Sequence, residues 1–177
     1  MDIFSIGHGT RPIEELILML RDEDIRTLAD VRLFPGSRRH PQFGAEPLES
    51  VLRAAGIAYV HLAGLGGRRE PRPDSPHRAL RVAAFRGYAD YMDTAEFALA
   101  YERLTGIAGA SRTAFMCAET LWWRCHRRLI ADRLTVDGWT VTHLLAPGKR
   151  EPHTLWDAAR TVDGHLVYDA GTLPLAT

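Results

Sequence analysis

The sequence predicts an α/β fold, a single three-layer domain in which a mostly parallel sheet of about five strands carries helices on both faces. A small C-terminal hairpin or strand extension completes it. Three observations lead there. Short apolar runs alternate with stretches of about 10–15 residues at helical periodicity, the pattern of βαβ units. Gly, Pro and Asp-Gly punctuation falls between those runs rather than within them. The chain has 177 residues, 46% hydrophobic and 25% charged, enough for one core without staples. The core sheet and helices are assigned to residues 1–145 and the extension to residues 146–177.

Ile3 to Ile6 form the first strand, and Gly7-His8-Gly9-Thr10 is a tight exit. Ile13, Leu16, Ile17 and Leu20 then repeat at helical spacing, with Thr10 as N-cap and Pro12 in the first turn. Ile25 to Val31 form the second strand, ending in Asp30-Val31-Arg32. Side chains alternate along a strand, so Asp30 and Arg32 share a face and are tolerable only near its carboxyl end. Leu33 to Phe43 is a Pro- and Gly-broken loop with Ser37, Arg38, Arg39 and His40 at its tip, and reads as a binding loop.

Leu48, Val51, Leu52 and Ala55 mark a second helix closed by Gly56, and Ile57 to Leu62 a third strand. Ala63 to His77 is too rich in Gly, Pro and Arg for core and is expected as a functional loop or lid. Phe85, Tyr88, Ala89 and Met92 give a third helix, and Thr94 starts a fourth carrying Phe97, Tyr101 and Leu104. Thr113 to Met116 end a buried strand. Leu129, Ile130 and Leu134 form the stripe of a fifth helix, opened by Cys125, His126 and Arg127 and stopped at Asp137-Gly138. Trp139 to Leu145 make a fifth strand, after which Pro147-Gly148 breaks the chain. A helical turn is expected near Thr154 to Ala159, and Asp163-Gly164 as the turn of a terminal hairpin.

Acidic and basic residues balance at 22 each, which removes a global electrostatic case for nucleic acid or membrane and makes any anion site local. No apolar run approaches the roughly 20 residues of a membrane span, and the opening MDIFSIGHGT has no signal-peptide pattern, so a cytoplasmic location is expected. Cys117 and Cys125 make a poor disulfide framework and read as thiols or ligands in a reducing compartment.

If the sheet is parallel, His8, Asp30, Arg32, Ser37, Cys117, Glu119 and His143 fall at or just past strand carboxyl ends, where open α/β sheets bind ligands. A thiol beside a helix N-terminus and arginines is placed for activation, so Cys117 is a candidate nucleophile, with a small buried thiol as the alternative. Cys117 and Arg124 enclose six residues where a tyrosine-phosphatase loop needs five. Asp30 and Glu119 can act as an acid and base pair, or each can hold an arginine. Cys117, Cys125 and His126 with His8 or His143 would suit zinc chemically, but neighbouring residues on one helix turn point about 100° apart, an awkward geometry for one metal. Trp122 and Trp123 can stack a base or pack on the core.

These residues also resemble a family. Ile6-Gly7-His8, Asp30-Val31-Arg32, the FPGSRRHPQF loop, Leu65-Gly66-Gly67-Arg68-Arg69 and Phe85 to Met92 share its wording. Above all, Met116-Cys117-Ala118-Glu119 with Trp123-Arg124-Cys125-His126-Arg127 resembles the family called domain of unknown function 488. The resemblance implies a bacterial-type α/β protein with a Cys-x-Glu then Cys-His-Arg signature, and no established activity. Labels carried by some relatives suggest iron-sulfur assembly or DNA repair; two cysteines are too few for a four-thiolate cluster within one chain. Leu121-Trp122 departs from the small residue and proline that relatives carry there.

The expected function is an enzyme, a hydrolase or group transferase, acting on a small anionic substrate such as a nucleotide or nucleic-acid end. The catalytic candidates are Asp30, Cys117, Glu119, Cys125 and His126. The substrate-binding candidates are Gly7, His8, Arg32, Ser37, Arg38, Arg68, Arg124 and Arg127. No cofactor is required by the sequence, and zinc is the one metal it would suit. The alternative is a nucleic-acid-binding or repair accessory module without chemistry of its own, with Arg38, Arg39, Arg68, Arg69 and Arg72 as a phosphate-binding rim.

Overall fold

A computed structural model describes residues 1–36 and 39–170. The elements run β1 (Asp2–Gly7), α1 (Ile13–Asp22), β2 (Thr27–Asp30), α2 (Ala45–Ala54), β3 (Ala58–His61), α3 (Ala83–Tyr91), α4 (Ala95–Ala110), β4 (Thr113–Cys117) and α5 (Arg127–Val136). They continue with β5 (Thr140–Ala146), β6 (Lys149–Pro152), β7 (Ala159–Val162) and β8 (His165–Tyr168). The main sheet has six strands in the order β3-β2-β4-β1-β5-β6, and β7 and β8 form a separate two-stranded sheet. The first five strands of the main sheet are parallel, and β6 runs antiparallel to β5. The fold is therefore α/β with a mostly parallel sheet. No helix among the described residues is long and apolar enough to cross a membrane.

Strand alternation divides the core in two. Ile3, Ala29, Phe115 and Val141 face one side of the sheet, where Leu104 of α4 and Leu129, Ile130 and Leu134 of α5 cover them. Phe4, Ile6, Leu28, Ala114 and Met116 face the other, against Leu16 and Leu20 of α1 and Leu48 and Leu52 of α2. Each helix buries one stripe, as helical spacing requires. The links after β1 and β2 cross one face and those after β3 and β4 the other. The connections leaving the adjacent strands β4 and β1 thus diverge, which opens a crevice at their carboxyl ends.

The expected elements differ from the observed ones in specific places. α1 is preceded by Pro12 and has no side-chain cap, so Thr10 does not serve as N-cap. Thr94 does cap α4, its Oγ1 accepting from the Phe97 amide. Pro147-Gly148 does not end the sheet but turns it, with Gly148 at φ 68, and β6 follows. The helical turn expected near Thr154 to Ala159 is absent, and β7 begins at Ala159. The terminal hairpin turns on Asp163 and Gly164, both with positive φ, the twist-compatible geometry of a two-residue turn. The Ala63 to His77 loop is partly core: Leu65 and His77 are fully buried, and Arg69 and Glu70 lie so close to Gly87 of α3 that a Cβ there would meet the Arg69 carbonyl oxygen at 2.3 Å.

A buried polar chain ties α5 to β5, β6 and the hairpin. The Asp132 carboxylate accepts from Tyr168 Oη at 3.0 Å and pairs with His153 Nε2 at 3.0 Å, and His153 Nδ1 lies 3.0 Å from His143 Nε2. Trp122 stacks flat on His143 with ring centroids 4.1 Å apart, so this indole packs on the core. Burial, then the neighbouring His153, lowers the His143 pKa to about 2. An unfolded histidine titrates near 6.5, so between about pH 6.5 and pH 4 the unfolded chain binds a proton that folded His143 refuses, and stability falls as pH falls. The expected loss is ~3 kcal/mol at pH 4 from this residue. Urea unfolding at pH 7 and pH 4 should show a smaller acid loss in His143→Gln; an identical pH dependence would mean that His143 protonates in place.

Candidate functional site

The crevice is a cavity of about 790 Å³ at the carboxyl edge of the sheet. Its lining includes His8, Arg32, Cys117, Glu119, Cys125 and His126, with Arg39, Arg68 and Arg124 at the edge. β1 ends in Gly7 and hands its backbone to the β4 exit, since the His8 and Gly9 amides donate to the carbonyls of Cys117 and Ala118 at 3.0 and 2.9 Å. That brings His8 beside Cys117 although 108 intervening residues separate them.

Asp30 and Arg32 do share a face, as alternation requires. Arg32 Nε lies 2.8 and 3.0 Å from the two Asp30 oxygens, and Nη2 donates to Oδ2 at 2.5 Å. The Arg32 amide and the Tyr59 hydroxyl also donate to that carboxylate, at 3.1 and 2.8 Å. Asp30 is fully buried and does not line the cavity; Arg32 lies between it and the cavity. The remaining nitrogen, Arg32 Nη1, lies 3.3 Å from His8 Nε2, while His8 Nδ1 lies 3.0 Å from the Gly9 carbonyl. His8 stacks on Phe43 at 4.1 Å. Burial first, and the Arg32 charge second, lower the His8 pKa to about 4. The neutral ring therefore donates from Nδ1 and accepts from Arg32 through Nε2.

Cys125 and His126 do not sit on a helix turn. The short 3-10 turn Trp122–Arg124 ends at Cys125, which is extended at φ -128 and ψ 150, and His126 is the N-cap of α5. This removes the geometric objection read from helical spacing, because the extended Cys125 turns its sulfur back toward the imidazole. His126 Nδ1 lies 3.6 Å from Cys125 Sγ and 4.0 Å from Cys117 Sγ, and Nε2 is 3.1 Å from the Val31 carbonyl. The three ligand-type atoms all lie within 4.8 Å of one another. The hydrogen bond with Cys125, and then burial, push Cys117 well above a free thiol. Cys125 is opposed by the same burial, yet falls well below a free thiol because Cys117, His126 and Arg127 favour its thiolate. The pair thus offers one readily formed thiolate.

Arg127 takes another place than the cavity wall. It is 1% exposed, with Nη1 donating to Ser5 Oγ at 3.1 Å and Nη2 to the Glu119 carbonyl at 2.5 Å. It pins the loop that carries Glu119. Gly7 is also absent from the lining and lies directly beneath the Glu119 carbonyl. Glu119 itself is exposed at the cavity, with Oε1 accepting from the Leu121 amide at 3.3 Å. Ser37 and Arg38 lie outside the described residues.

Arg39, Arg68 and Arg124 are exposed and form no ion pair among the described residues. Arg68 holds φ 65, a left-handed conformation that a non-glycine residue adopts at a cost and that recurs at binding loops. Reasoning from sequence missed Phe34 and Phe85, which line the cavity, and Tyr59, which completes the Asp30 shell. Phe34 is 71% exposed, and an apolar ring ahead of Pro35-Gly36 in a loop was the available signal.

A family model described as domain of unknown function DUF488 matches residues 12–134. No curated protein and no solved structure matches the chain.

Proposed function

The chain belongs to the DUF488 family, and from that footing we propose that it is an enzyme of hydrolytic or group-transfer type holding a small anionic substrate at the carboxyl edge of its sheet. The substrate class we assign is a nucleotide or a nucleic-acid end. The observation that carries this reading is one cavity lined together by Arg32, Arg39, Arg68 and Arg124, by the reactive pair Cys117 and Cys125, and by Glu119. Arg39, Arg68 and Arg124 have no carboxylate partner among the described residues, and a planar guanidinium can donate two hydrogen bonds to a pair of phosphate oxygens. Phe34 adds an exposed ring on which a base can stack.

In this reading Arg39, Arg68 and Arg124 bind the anion, and Arg32 presents Nη1 to it with Asp30 behind as a positioning residue. Glu119 moves the proton, being the carboxylate that reaches the cavity. His8 stays neutral and orients Arg32. Cys117, Cys125 and His126 form the reactive floor, and Arg127 and Gly7 support it from below.

Thermal melting with pyrophosphate, AMP, ATP and a short single-stranded oligonucleotide tests the reading. A ligand at a hundredfold excess over its Kd adds about 2.7 kcal/mol. Arg68→Ala and Arg124→Ala should abolish that shift while leaving the ligand-free melting temperature within about a degree, because exposed side chains contribute little to folding. If none of these anions raises the melting temperature, the functional reading fails. Binding that collapses with salt and ignores Cys117→Ser and Glu119→Gln would instead mark a nucleic-acid-binding module without chemistry.

A further inference from the structure

We propose that Cys117, Cys125 and His126 are three ligands of a tetrahedral site for a borderline divalent cation of the zinc class, whose fourth position opens into the arginine-lined cavity. The assignment of that open position to water or substrate rests on the functional reading above; the ligand set does not.

The donors have the required chemistry and separations. Two sulfurs and one imidazole nitrogen suit Zn²⁺, and a tetrahedral centre with ordinary bond lengths places sulfur and nitrogen roughly 3.6 Å apart. His126 Nδ1 lies 3.6 Å from Cys125 Sγ and 4.0 Å from Cys117 Sγ, within a few tenths of an ångström of that spacing, and all three atoms lie within 4.8 Å of one another, so the sulfurs need close on an ion by no more than about 1 Å. The ring is held for the purpose. Nε2 faces the Val31 carbonyl at 3.1 Å, so its N–H donates there and the Nδ1 lone pair is aimed at the sulfurs. A ligating imidazole almost always has such a partner on its other nitrogen.

A second, independent feature lies across the ring. A Cβ on Gly67 would stand 2.9 Å from His126 Nδ1, 3.2 Å from Cγ and 3.4 Å from Cε1, over the face of the ring, so the absence of a side chain lets the imidazole lie in the orientation that points Nδ1 at the sulfurs. Gly67 and all three ligands line the cavity. A nucleophilic Cys–His pair needs one sulfur at the imidazole, and here two converge on the same nitrogen. Three protein ligands with an open position is the arrangement of catalytic rather than structural zinc. Placed here, the ion would bind water or a substrate oxygen in front of Arg32 and Glu119, polarising that oxygen and lowering the pKa of bound water toward ~7.

The test is titration of the reduced full chain with Zn²⁺ and with Co²⁺. The expected result is one equivalent bound with release of protons, and a sulfur-to-cobalt charge-transfer band of a tetrahedral thiolate site. Cys117→Ser, Cys125→Ser and His126→Ala should each weaken Zn²⁺ at least ~100-fold, and Gly67→Ala at least ~10-fold. Because Cys125 is nearly buried and its variant can fail to fold, the cobalt spectrum of the unaltered chain decides on its own. A reduced chain that binds no Zn²⁺, or a cobalt complex without the thiolate band, overturns the site, as does a Cys117–Cys125 disulfide forming in place of metal binding. Pyrophosphate melting in parallel separates the two readings: Zn²⁺ binding without anion stabilisation upholds the metal site and removes only the proposed function.

Discussion

Asp30→Ala is expected to destabilise the chain by ~3–5 kcal/mol and to remove anion binding with it, the first because it strands a buried guanidinium. Arg32 is only 6% exposed and its Nε and Nη2 are committed to the carboxylate. Without Asp30, those donors and the Tyr59 hydroxyl face an apolar gap, which costs far more than the intact pair contributes relative to apolar residues. Arg32→Met should cost a similar amount by stranding the carboxylate. The combination Asp30→Leu, Arg32→Met, Tyr59→Phe should recover part of the loss, since replacing the paired side chains of a buried polar group with apolar residues is often near neutral, while the residue-32 amide and His8 Nε2 lose their partners. Anion binding should stay absent in the triple variant, which separates stability from function. Urea unfolding at pH 7 and pyrophosphate melting provide both readouts. A cost below about 1 kcal/mol for Asp30→Ala would mean that Arg32 swings out to water, and would remove Asp30 from its positioning role.

The same pair shows what was readable from sequence and what was not. Two-residue periodicity placed Asp30 and Arg32 on one face near a strand end, and they are paired there. It could not say which of them reaches the cavity, because that depends on the turn of the chain after Val31. The alternation of apolar runs gave the parallel sheet, while β6 was missed because Lys149–Pro152 has no apolar face to announce it. The cavity residues were named from sequence largely because strand ends attract chemistry, but Arg127 and Gly7 were placed one layer too high. Their roles are set by the Glu119 carbonyl, a backbone group with no signature in side-chain pattern. Cys125-His126 shows the reverse case: helical periodicity argued against joint ligation, and the extended residue before the N-cap, which no propensity foretells, reversed it.

Gly7→Ala should cost ~3 kcal/mol and disable the cavity, although it adds a single methyl group. A Cβ on Gly7 would lie 2.0 Å from the Glu119 carbonyl oxygen and 2.8 Å from Arg127 Nη2. Neither neighbour can yield cheaply. The carbonyl is held by Arg127, whose guanidinium is also fixed to Ser5, and the adjoining backbone is tied down by the His8 and Gly9 amides. Relief requires the loop from Ala118 to Thr120 to lift, which breaks the buried Arg127 contacts and carries Glu119 away from Arg32. Gly106 of α4 is the matched opposite: a Cβ there meets nothing within 4 Å, so Gly106→Ala should stabilise by ~0.5–1 kcal/mol through helix propensity alone. Opposite signs in urea unfolding separate close packing from the general cost of losing a glycine. If Gly7→Ala melts with the parent and still binds Zn²⁺ and pyrophosphate, the loop after β4 is free to move, and the support assigned to Arg127 falls.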